Sequence, residues 1–431
     1  MSTSRIDCVL NFEYTIPGNE VFRMKYLIGL TLLILTHGLF ISCNRPEVPS
    51  YADLENDDWG KICEGAKGKT VRMMMWDGDP LINAYMRDYV APHLKKELGL
   101  QLEIVGGRGP AIVNKLMIEL EAGKARGDID LVWINGETFY QLRQLKALYG
   151  PFTHQLPNNP YIDWDDPFIN TDFQQPVEGY ECPWGNVQLT IIYESTRVPH
   201  PPKNKEELLA WVQKNPGRFT FDNGFTGMTF LKSLLYQFAG GNESLHGRFD
   251  EDKYQAASEK LWAYVKELKP HLWKKGETYP DSVAQLHQLL MNGEVDFSMS
   301  NNDGEVDNKA QQGVLPDTAR AYVLDTGTIR NSHYLGIPIN APNKAGALVL
   351  ANFLISPEAQ LKKAMPEVWG DGSVLAIDQL EPLWKSQFES VPGRVRVPPR
   401  SELETKALLE PAPEIMIRLH EEFRKQIIES P

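Results

Sequence analysis

VRMMMWDGDP (71–80) is a short apolar run followed by a turn, and it begins a repeating order of strands and helices. Its apolar residues are typical of a buried strand, and its last four residues are typical of a turn. C-terminal to it come a helical pattern that ends at Gly99, a strand, a helix and a second buried strand: residues 81–98, LQLEIVG (100–106), KLMIELEAG (115–123) and DIDLVWI (128–134). Strands that alternate with helices in this way predict an α/β fold with a parallel sheet.

A second set of strands and helices follows a loop rich in Pro, Asn and Asp over residues 156–176. Its predicted strands are VQLTIIYE (187–194), FTFDN (219–223), VDFSMSN (295–301) and AYVLDTGTI (321–329). The predicted helices are KEELLAWVQKN (205–215), TGMTFLKSLLYQFAG (226–240), VAQLHQLLMNG (283–293), ALVLANFLI (347–355) and EIMIRLHEEFRKQII (414–428). Because 431 residues can form more than one core, we predict two α/β units in series.

The charge of the chain disfavours nucleic acid as a partner. The formal net charge is −13, and no stretch is rich in Lys and Arg. An acidic surface repels phosphates and anionic membranes. We therefore expect no nucleic-acid binding.

An apolar run near the N-terminus, YLIGLTLLILTHGLFISCN (26–44), has no charged side chain between Lys25 and Cys43. A basic start, an apolar stretch and small residues are the pattern of an export signal. The run is short for a membrane span, which needs about 20 apolar residues. Residues 39–43 (LFISC) resemble the lipobox of bacterial lipoproteins, although Phe40 departs from the usual Leu, Val or Ile. That resemblance implies lipidation of Cys43; a plain cleaved signal and an uncleaved span stay open.

These features divide the N-terminal region into two expected segments. Residues 1–42 would be a signal segment, and residues 43–67 a tether anchored by lipid. Because Met24-Lys25 is a normal beginning for such a signal, we expect residues 1–23 to lie upstream of the true start. The protein would be exported to the cell envelope and held on a membrane through Cys43, at the periplasmic or outer face.

Two cysteines, Cys63 and Cys182, follow Cys43. Disulfides persist in exported proteins, so this pair predicts one bridge, with two free buried thiols as the alternative. Neither cysteine has a second Cys or His at metal-ligand spacing, so we expect no metal site.

The segment YLGIPINAPNKAGALVLANFLISPEAQ (334–360) combines a strand, a turn at 341–343, a helix and a stop at Ser356-Pro357. It resembles a signature of the substrate-binding proteins of ABC importers, the extracellular solute-binding family. The resemblance extends over most of residues 68–365. MMMWDGD, VWINGETFY, YECPWG and DNGFTGMTF look like a branch near the thiamine- and iron-binding members.

This resemblance implies a two-lobe clamshell of the periplasmic-binding-protein type II class, each lobe a mixed β-sheet flanked by helices. Lobe one would comprise residues 68–186 and 333–375, and lobe two residues 187–332 and 376–431, with crossings near 184–190 and 326–334. A small solute would bind between the lobes and favour their closure. An ABC permease in the inner membrane would then receive the solute from a monomeric protein without a cofactor.

Ligands of open α/β sheets bind beyond the carboxyl ends of strands and at helix N-termini. This rule selects the candidate ligand-binding residues Trp76, Asp77, Asn135, Gly136, Glu137, Trp184, Asp222, Asn223, Thr226, Gly227, Asn301 and Asn302. Aromatic faces beside carboxylates suit an amine or another organic cation, such as a thiamine-like or polyamine-like solute. The helix start at Thr226 would instead suit an oxyanion, and a metal ion is a further alternative.

Each candidate also has a purely structural alternative. Trp76 and Trp133 would pack in the core, residues 222–224 would form a turn with a helix cap, and Trp184 would lock the hinge. The sequence contains no phosphate-binding loop, nucleophile elbow or zinc-protease motif, which disfavours an enzyme. The resemblance to the solute-binding family implies a binding protein and not an enzyme. A glycosidase carboxylate pair and a structural surface lipoprotein are the alternatives from other classes.

Overall fold

The computed structural model describes Leu54 and residues 57–429. The predicted signal segment over residues 1–42, and with it Cys43, lies outside these residues. Within them, strands and helices alternate along the chain. The strands are β1 (Thr70–Met75), β2 (Gln101–Gly106), β3 (Leu131–Ile134), β4 (Leu148–Tyr149), β5 (Thr171–Asp172), β6 (Gln175–Pro176), β7 (Glu181–Gln188), β8 (Thr190–Glu194), β9 (Phe297–Ser300), β10 (Ala319–Tyr322), β11 (Thr328–Pro338) and β12 (Ala407–Leu408).

The helices lie between these strands and after them. They are α1 (Trp59–Ala66), α2 (Pro80–Ala84), α3 (Ala91–Leu98), α4 (Gly109–Glu121), α5 (Glu137–Gln144), α6 (Pro167–Asn170), α7 (Lys205–Lys214), α8 (Phe225–Ala239), α9 (Glu251–Leu268), α10 (Val283–Met291), α11 (Glu305–Gln311), α12 (Lys344–Leu354), α13 (Pro357–Ala364), α14 (Pro382–Glu389), α15 (Arg400–Glu404) and α16 (Pro413–Phe423). Single π-helical turns (Tyr85–Val90 and Arg424–Ile428) join α2 to α3 and extend α16. Five short 3₁₀ turns complete the described elements: Thr153–Gln155, Asn159–Tyr161, Lys269–His271, Trp273–Gly276 and Ile377–Gln379.

The first lobe is built on a seven-stranded sheet. Its main order is β12-β11-β3-β1-β2, and both β4 and β7 also pair with β11. β1 runs parallel to β2 and β3, whereas β11 runs antiparallel to β3 and β7. The parallel strand order predicted from residues 71–134 is therefore confirmed.

Both faces of this sheet are covered, which explains why its strands are apolar throughout. Along β1, Met73 and Met75 point into one core, which α12 covers, and Met74 points into another, which α4 covers. This alternation is the two-residue period of a strand.

The second lobe is built on a smaller sheet, in which β8 pairs antiparallel with β9 and with β10. Its core contains α8, whose residues from Thr226 to Tyr236 are all buried, packed against α9 and α16. A helix that is buried on all sides fits its mostly apolar sequence. The strand predicted over FTFDN (219–223) is wrong. Residues 219–222 are buried, but the backbone of the segment does not pair with a strand. The Phe219 carbonyl accepts from the Trp273 amide of a 3₁₀ turn, and the Asn223 amide donates to the Pro280 carbonyl.

The chain passes between the lobes at two interruptions of predicted strands. β7 ends at Gln188 in the first sheet and β8 begins at Thr190 in the second, so 187–194 is divided between two strands. Likewise β10 ends at Tyr322 and β11 begins at Thr328, which divides 321–329. Apolar periodicity cannot show such a division, because both halves of each run are buried.

The chain stays in the first lobe through α14 and then passes to the second lobe. Leu380 is buried in the first core, and Trp384 and Phe388 of α14 pack against it. Val397 and Leu403 lie in a core of the second lobe. The structure thus places 376–389 with the first lobe, although we expected 376–431 to belong to the second.

The expected tether over 43–67 needs a similar correction at its C-terminal end. Residues 59–66 form α1, which packs on α12 and buries Ile62 and Ala66 in the first core. The disulfide expected between Cys63 and Cys182 is also corrected, because both are free thiols. Cys63 lies in α1 on the outer side of α12, whereas Cys182 is buried within the sheet on β7.

A hairpin of the first lobe inserts into the second. β5 and β6 form it, and its tip residues Phe173 and Gln174 have φ angles of +46° and +60°. The Phe173 ring belongs to the second-lobe core. Gln174 donates to the Glu410 carbonyl at 2.7 Å and accepts from the Gly247 amide at 3.0 Å.

A buried polar network lies at the pairing of β7 with β11. Lys363 Nζ contacts Asp371 Oδ2 at 2.5 Å and donates to the Trp184 and Gly372 carbonyls. The His333 ring lies 3.0 Å from the same carboxylate oxygen. Burial lowers the pKa of His333, which favours the neutral form of its ring. A neutral ring with its proton on Nε2 would donate to the Asp371 carboxylate.

Gly185 lies opposite His333 in the β7–β11 ladder, and a side chain there would disrupt this network. A Cβ at Gly185 would come 1.9 Å from His333 Nε2 and 2.2 Å from Asp371 Oδ2. We predict that Gly185→Ala lowers the free energy of unfolding by about 1–3 kcal/mol, the usual cost of overpacking. Thermal denaturation would then show a melting temperature several degrees below that of the unsubstituted protein, at about 2–4 °C per kcal/mol.

Gly393→Ala is the matched control for Gly185→Ala. A Cβ at Gly393 would meet no atom within 4 Å. We expect its melting temperature to stay within about 1 °C of the original, as for surface substitutions. Equal melting temperatures for the two variants would contradict the prediction, because the buried contacts of Asp371 and His333 would then tolerate an added methyl group.

Candidate functional site

Five of the predicted ligand residues lie at one edge of the first sheet. Trp76 and Asp77 follow β1, and residues 135–137 follow β3. The parallel register pairs Met74 with Val132, so both strands end at the same edge.

Trp76 presents an aromatic surface at this edge. Its side chain is exposed at 38%, and its ring meets the edge of Trp133 at a centroid distance of 6.5 Å. Asp77 is also exposed, and its carbonyl accepts from Asn83 Nδ2 at 2.8 Å, which holds the turn after β1.

Glu137 is the first residue of α5, which follows β3. Gly136 before it has a φ of +55°, which favours glycine, and its amide donates to the buried carboxylate of Asp172. Glu137 Oε2 is buried without a hydrogen-bond partner among the described residues. Burial raises the pKa of Glu137, while the Lys232 ammonium opposes the rise and the Glu410 carboxylate adds to it.

Asp222 is the corresponding buried carboxylate in the second lobe. Its Oδ1 accepts from the Gly224 amide at 2.9 Å, and its Oδ2 is buried without a hydrogen-bond partner in the described part of the chain. Burial raises the pKa of Asp222 to about 6. Asn223, next to it, is partly exposed, and its side-chain Nδ2 lies 3.3 Å from Asp281 Oδ1.

Two further predicted segments of the second lobe meet each other. Asn301, after β9, donates from Nδ2 to Thr226 Oγ1 in the first turn of α8 at 3.0 Å. Thr226 and Gly227 are buried. Asn302 accepts from the Gly304 amide at 2.9 Å, and its Nδ2 lies 3.5 Å from the Trp369 carbonyl of the first lobe.

Trp184 does not reach the surface. It is fully buried, and its ring packs edge-on against Trp133 and Trp369 at 5.1 and 5.3 Å. Its carbonyl accepts from Gln360 and Lys363. The structure therefore places the Trp184 side chain in the core beneath Trp133, away from the surface where we expected a ligand contact.

The two lobes contact each other close to these candidate residues. Asp79, two residues after Asp77, forms an ion pair of 2.5 Å with Lys309 in α11, which follows Asn302. No pattern in the sequence singles out Lys309, since 230 residues separate it from Asp79. Trp133, expected in the core, is partly exposed beside Trp76.

The arrangement combines aromatic surface with carboxylates on both lobes. Within residue 54 and residues 57–429, no group of three or more His, Cys, Asp or Glu side chains could hold a metal ion. None of the helices in that part of the chain is long and apolar enough to span a membrane.

Comparison with known proteins relates the chain to one family. Residues 88–387 match the family model described as bacterial extracellular solute-binding protein. Protein YnjB of Escherichia coli (strain K12) is 37% identical over 342 residues, which is 78% of this chain and 87% of YnjB.

Solved structures show the same fold at low sequence identity. PotD, the spermidine/putrescine substrate-binding protein of Streptococcus pneumoniae, superimposes with a TM-score of 0.56 at 16% identity, covering 83% of this chain and 99% of PotD. AfuA of Actinobacillus pleuropneumoniae, solved with fructose-6-phosphate, has a TM-score of 0.58 at 14% identity, with 83% and 98% covered. Ferric ion-binding protein A of Pasteurella haemolytica has a TM-score of 0.55 at 15% identity, with 84% and 97% covered.

These matches confirm the two-lobe fold of periplasmic binding proteins. The proteins that the chain resembles are substrate-binding components of transporters, so the binding-protein expectation holds and the enzyme alternatives do not. Proteins of this class bind small solutes and deliver them to an ABC permease. The chain belongs to the family of bacterial extracellular solute-binding proteins.

Proposed function

We propose that this solute-binding protein captures a small cationic or amine-bearing organic solute, thiamine-like or polyamine-like, between its two lobes. The solute would contact candidate residues of both lobes, in particular Trp76, Asp77, Glu137 and Asp222. Delivery to an ABC permease in the inner membrane would follow, with the binding protein acting as a monomer.

The observation that carries this proposal is a pair of buried carboxylates with an unused oxygen, one in each lobe. Glu137 Oε2 and Asp222 Oδ2 lack a hydrogen-bond partner among the described residues. A buried polar atom without a partner costs free energy, and such atoms in native proteins need an explanation. An ammonium or N–H group of a solute would supply the missing donor to both lobes and so favour their closure.

The aromatic surface supports the same class of solute. A cation over the face of a tryptophan gains about 0.5–2 kcal/mol. Trp76 is exposed, and the next residue, Asp77, is an exposed carboxylate whose charge would add attraction for a cation. That PotD is a spermidine/putrescine protein agrees with this proposal, although the similarity covers the fold alone.

An oxyanion is the second candidate, because the N-terminus of α8 has no side-chain cap. Against it, the Asp222 carboxylate accepts from the Gly224 amide at this helix start and would repel an anion. We favour the cation for this reason.

Lipid anchoring through Cys43 is part of the proposal. It is supported by the apolar run and the lipobox-like residues 39–43 in the sequence. Anchoring would keep the protein at the membrane surface near its permease.

A thermal-shift screen tests the solute class. We predict that thiamine, spermidine or a related amine raises the melting temperature, since a ligand at 100 times its Kd adds about 2.7 kcal/mol of stability. Trp76→Ala should weaken the best ligand's affinity by about 2- to 30-fold for the loss of a cation–π contact. Asp77→Asn should also weaken it, for the loss of charge attraction. Isothermal titration calorimetry measures the affinity of each variant for that ligand.

Controls for this screen are available on the surface. Leu383 is exposed at 65% and lies in α14, and Asp378 is an exposed carboxylate paired with Lys385. Leu383→Ala and Asp378→Asn should leave affinity unchanged. Stabilisation by phosphates or metal ions but by no amine would contradict the cationic class.

Proton linkage at Asp222 gives a second prediction. With a pKa of about 6, this carboxyl gains a proton as the pH falls from 7 to 5, and the neutral form does not attract a cation. We expect amine affinity to drop about tenfold over this interval, and Asp222→Asn to remove that dependence. Calorimetry at pH 5, 6 and 7 measures it, and equal slopes in both proteins would exclude Asp222 from the site.

The same carboxyl affects the stability of the solute-free protein in the opposite direction. Its pKa in the folded state lies above the ordinary value of 3.8, so the folded state binds the proton more tightly. The resulting stabilisation is complete below about pH 4 and is lost as the pH rises through 6.

Lipid attachment gives a third prediction. We expect Cys43→Ser to move the protein from the membrane fraction to the soluble fraction of exporting cells, because the acyl chains can no longer be attached. Cys63→Ser is the control, since Cys63 lies in α1 against the first core, and it should stay with the membrane. Membrane retention of the Cys43 variant would argue for an uncleaved span.

A further inference from the structure

The ion pair between Asp79 and Lys309 joins the two lobes next to the candidate site. Lys309 Nζ lies 2.5 Å from Asp79 Oδ2. Asp79 precedes α2 of the first lobe, and Lys309 lies in α11 of the second. The two residues are exposed at only 9% and 5%. A buried pair of this kind is strongly sensitive to the loss of either partner.

Each of the two charges has another partner within its own lobe. Asp79 Oδ1 accepts from the backbone amides of Leu81 and Ile82 at 2.7 and 3.2 Å, as the N-cap of α2. Lys309 Nζ lies 4.0 Å from Glu305 Oε1, one turn earlier in α11. Separation of the lobes would therefore leave neither charge without a local partner, which lowers the cost of opening.

Neutral contacts accompany the ion pair. Asn308, next to Lys309, donates from Nδ2 to the Trp369 carbonyl of the first lobe at 2.8 Å. Asn302, in the loop before α11, approaches the same carbonyl. The segment from 302 to 309 thus docks on the first lobe as a unit.

We propose that Asp79 and Lys309 form a releasable clasp across the solute cleft. The clasp stabilises the arrangement in which the lobes meet, and so sets how much binding free energy the solute must supply for closure. Because apparent affinity is proportional to the population of the binding-competent state, the clasp tunes affinity without contacting the solute. This effect on affinity rests on the proposed function, whereas the clasp itself can be measured without a solute.

Hydrogen–deuterium exchange of the full chain without solute tests the clasp. Asp79→Asn removes the charge and keeps a good N-cap, and Lys309→Met removes the ammonium and keeps the apolar stem. We expect each substitution to speed exchange of the backbone amides over 302–309 by about tenfold, through more frequent opening. Amides of the β1–β2 ladder, remote from the clasp, should exchange as before.

A double variant separates the clasp from two independent effects. If the two charges act on each other, Asp79→Asn with Lys309→Met should exchange no faster than either single variant. Lys253→Met is the control, because Lys253 belongs to an exposed pair with Asp250 in the same lobe, and it should change nothing over 302–309. Unchanged exchange in Asp79→Asn, or additive effects in the double variant, would overturn the proposal.

The result of the exchange experiment does not depend on the result of the solute screen. Failure of every amine to stabilise the protein would contradict the proposed function and leave the exchange result standing. If Lys309→Met does not fold, as circular dichroism would show, Asp79→Asn alone decides, since it preserves both the cap and the volume.

Discussion

The antiparallel pairing of β7 with β11 is the constraint on which the rest of the structure depends. β11 also pairs with β3, β4 and β12, so it holds the strands of the first sheet together. One residue beyond the end of β7 the chain enters the second sheet, and it returns just before β11. Both lobes are therefore attached to the same ladder. Lys363, Asp371 and His333 brace this ladder with buried polar contacts, and Gly185 leaves the space that they need.

The site illustrates a conflict between stability and binding. Glu137 and Asp222 are held by backbone geometry at the ends of their segments, with one carboxylate oxygen of each buried and unused. Such groups cost folding free energy, and burial raises the pKa of each because it disfavours the charged form. A solute that supplies a positive group would recover that cost on binding. The ion pair of Asp79 with Lys309 shows the opposite solution, in which the protein supplies the cation itself.

Local patterns predicted local structure well and long-range contacts poorly. The strand at 71–76 and the helix at 226–240 follow from apolar periodicity, and Gly240 ends the latter with a left-handed conformation, as a C-terminal glycine does. The division of 187–194 between two sheets was not predictable, because both halves are equally apolar. The segment 219–223 has the composition of a strand, yet its backbone does not pair with a strand.

The candidate site shows the same limits. The rule that ligands bind at the ends of strands selected Asn301 and Thr226, which lie within hydrogen-bond distance of each other. It also selected Trp184, which the aromatic cluster buries. Lys309 was missed because a partner 230 residues away leaves no trace in a single sequence. The predicted disulfide between Cys63 and Cys182 was wrong for a related reason. An even number of cysteines does not show in which layer of the fold each thiol lies.

The hairpin at Phe173 has a consequence for motion. Two neighbouring strands alone form a narrow strip, which can twist along its length as easily as it can bend. Phe173 attaches the lobes at a further point beside the strip, and Gln174 fixes that point through two hydrogen bonds. A further contact outside the line of the strands opposes twisting of that strip. The hairpin therefore adds torsional stiffness to the connection between the lobes.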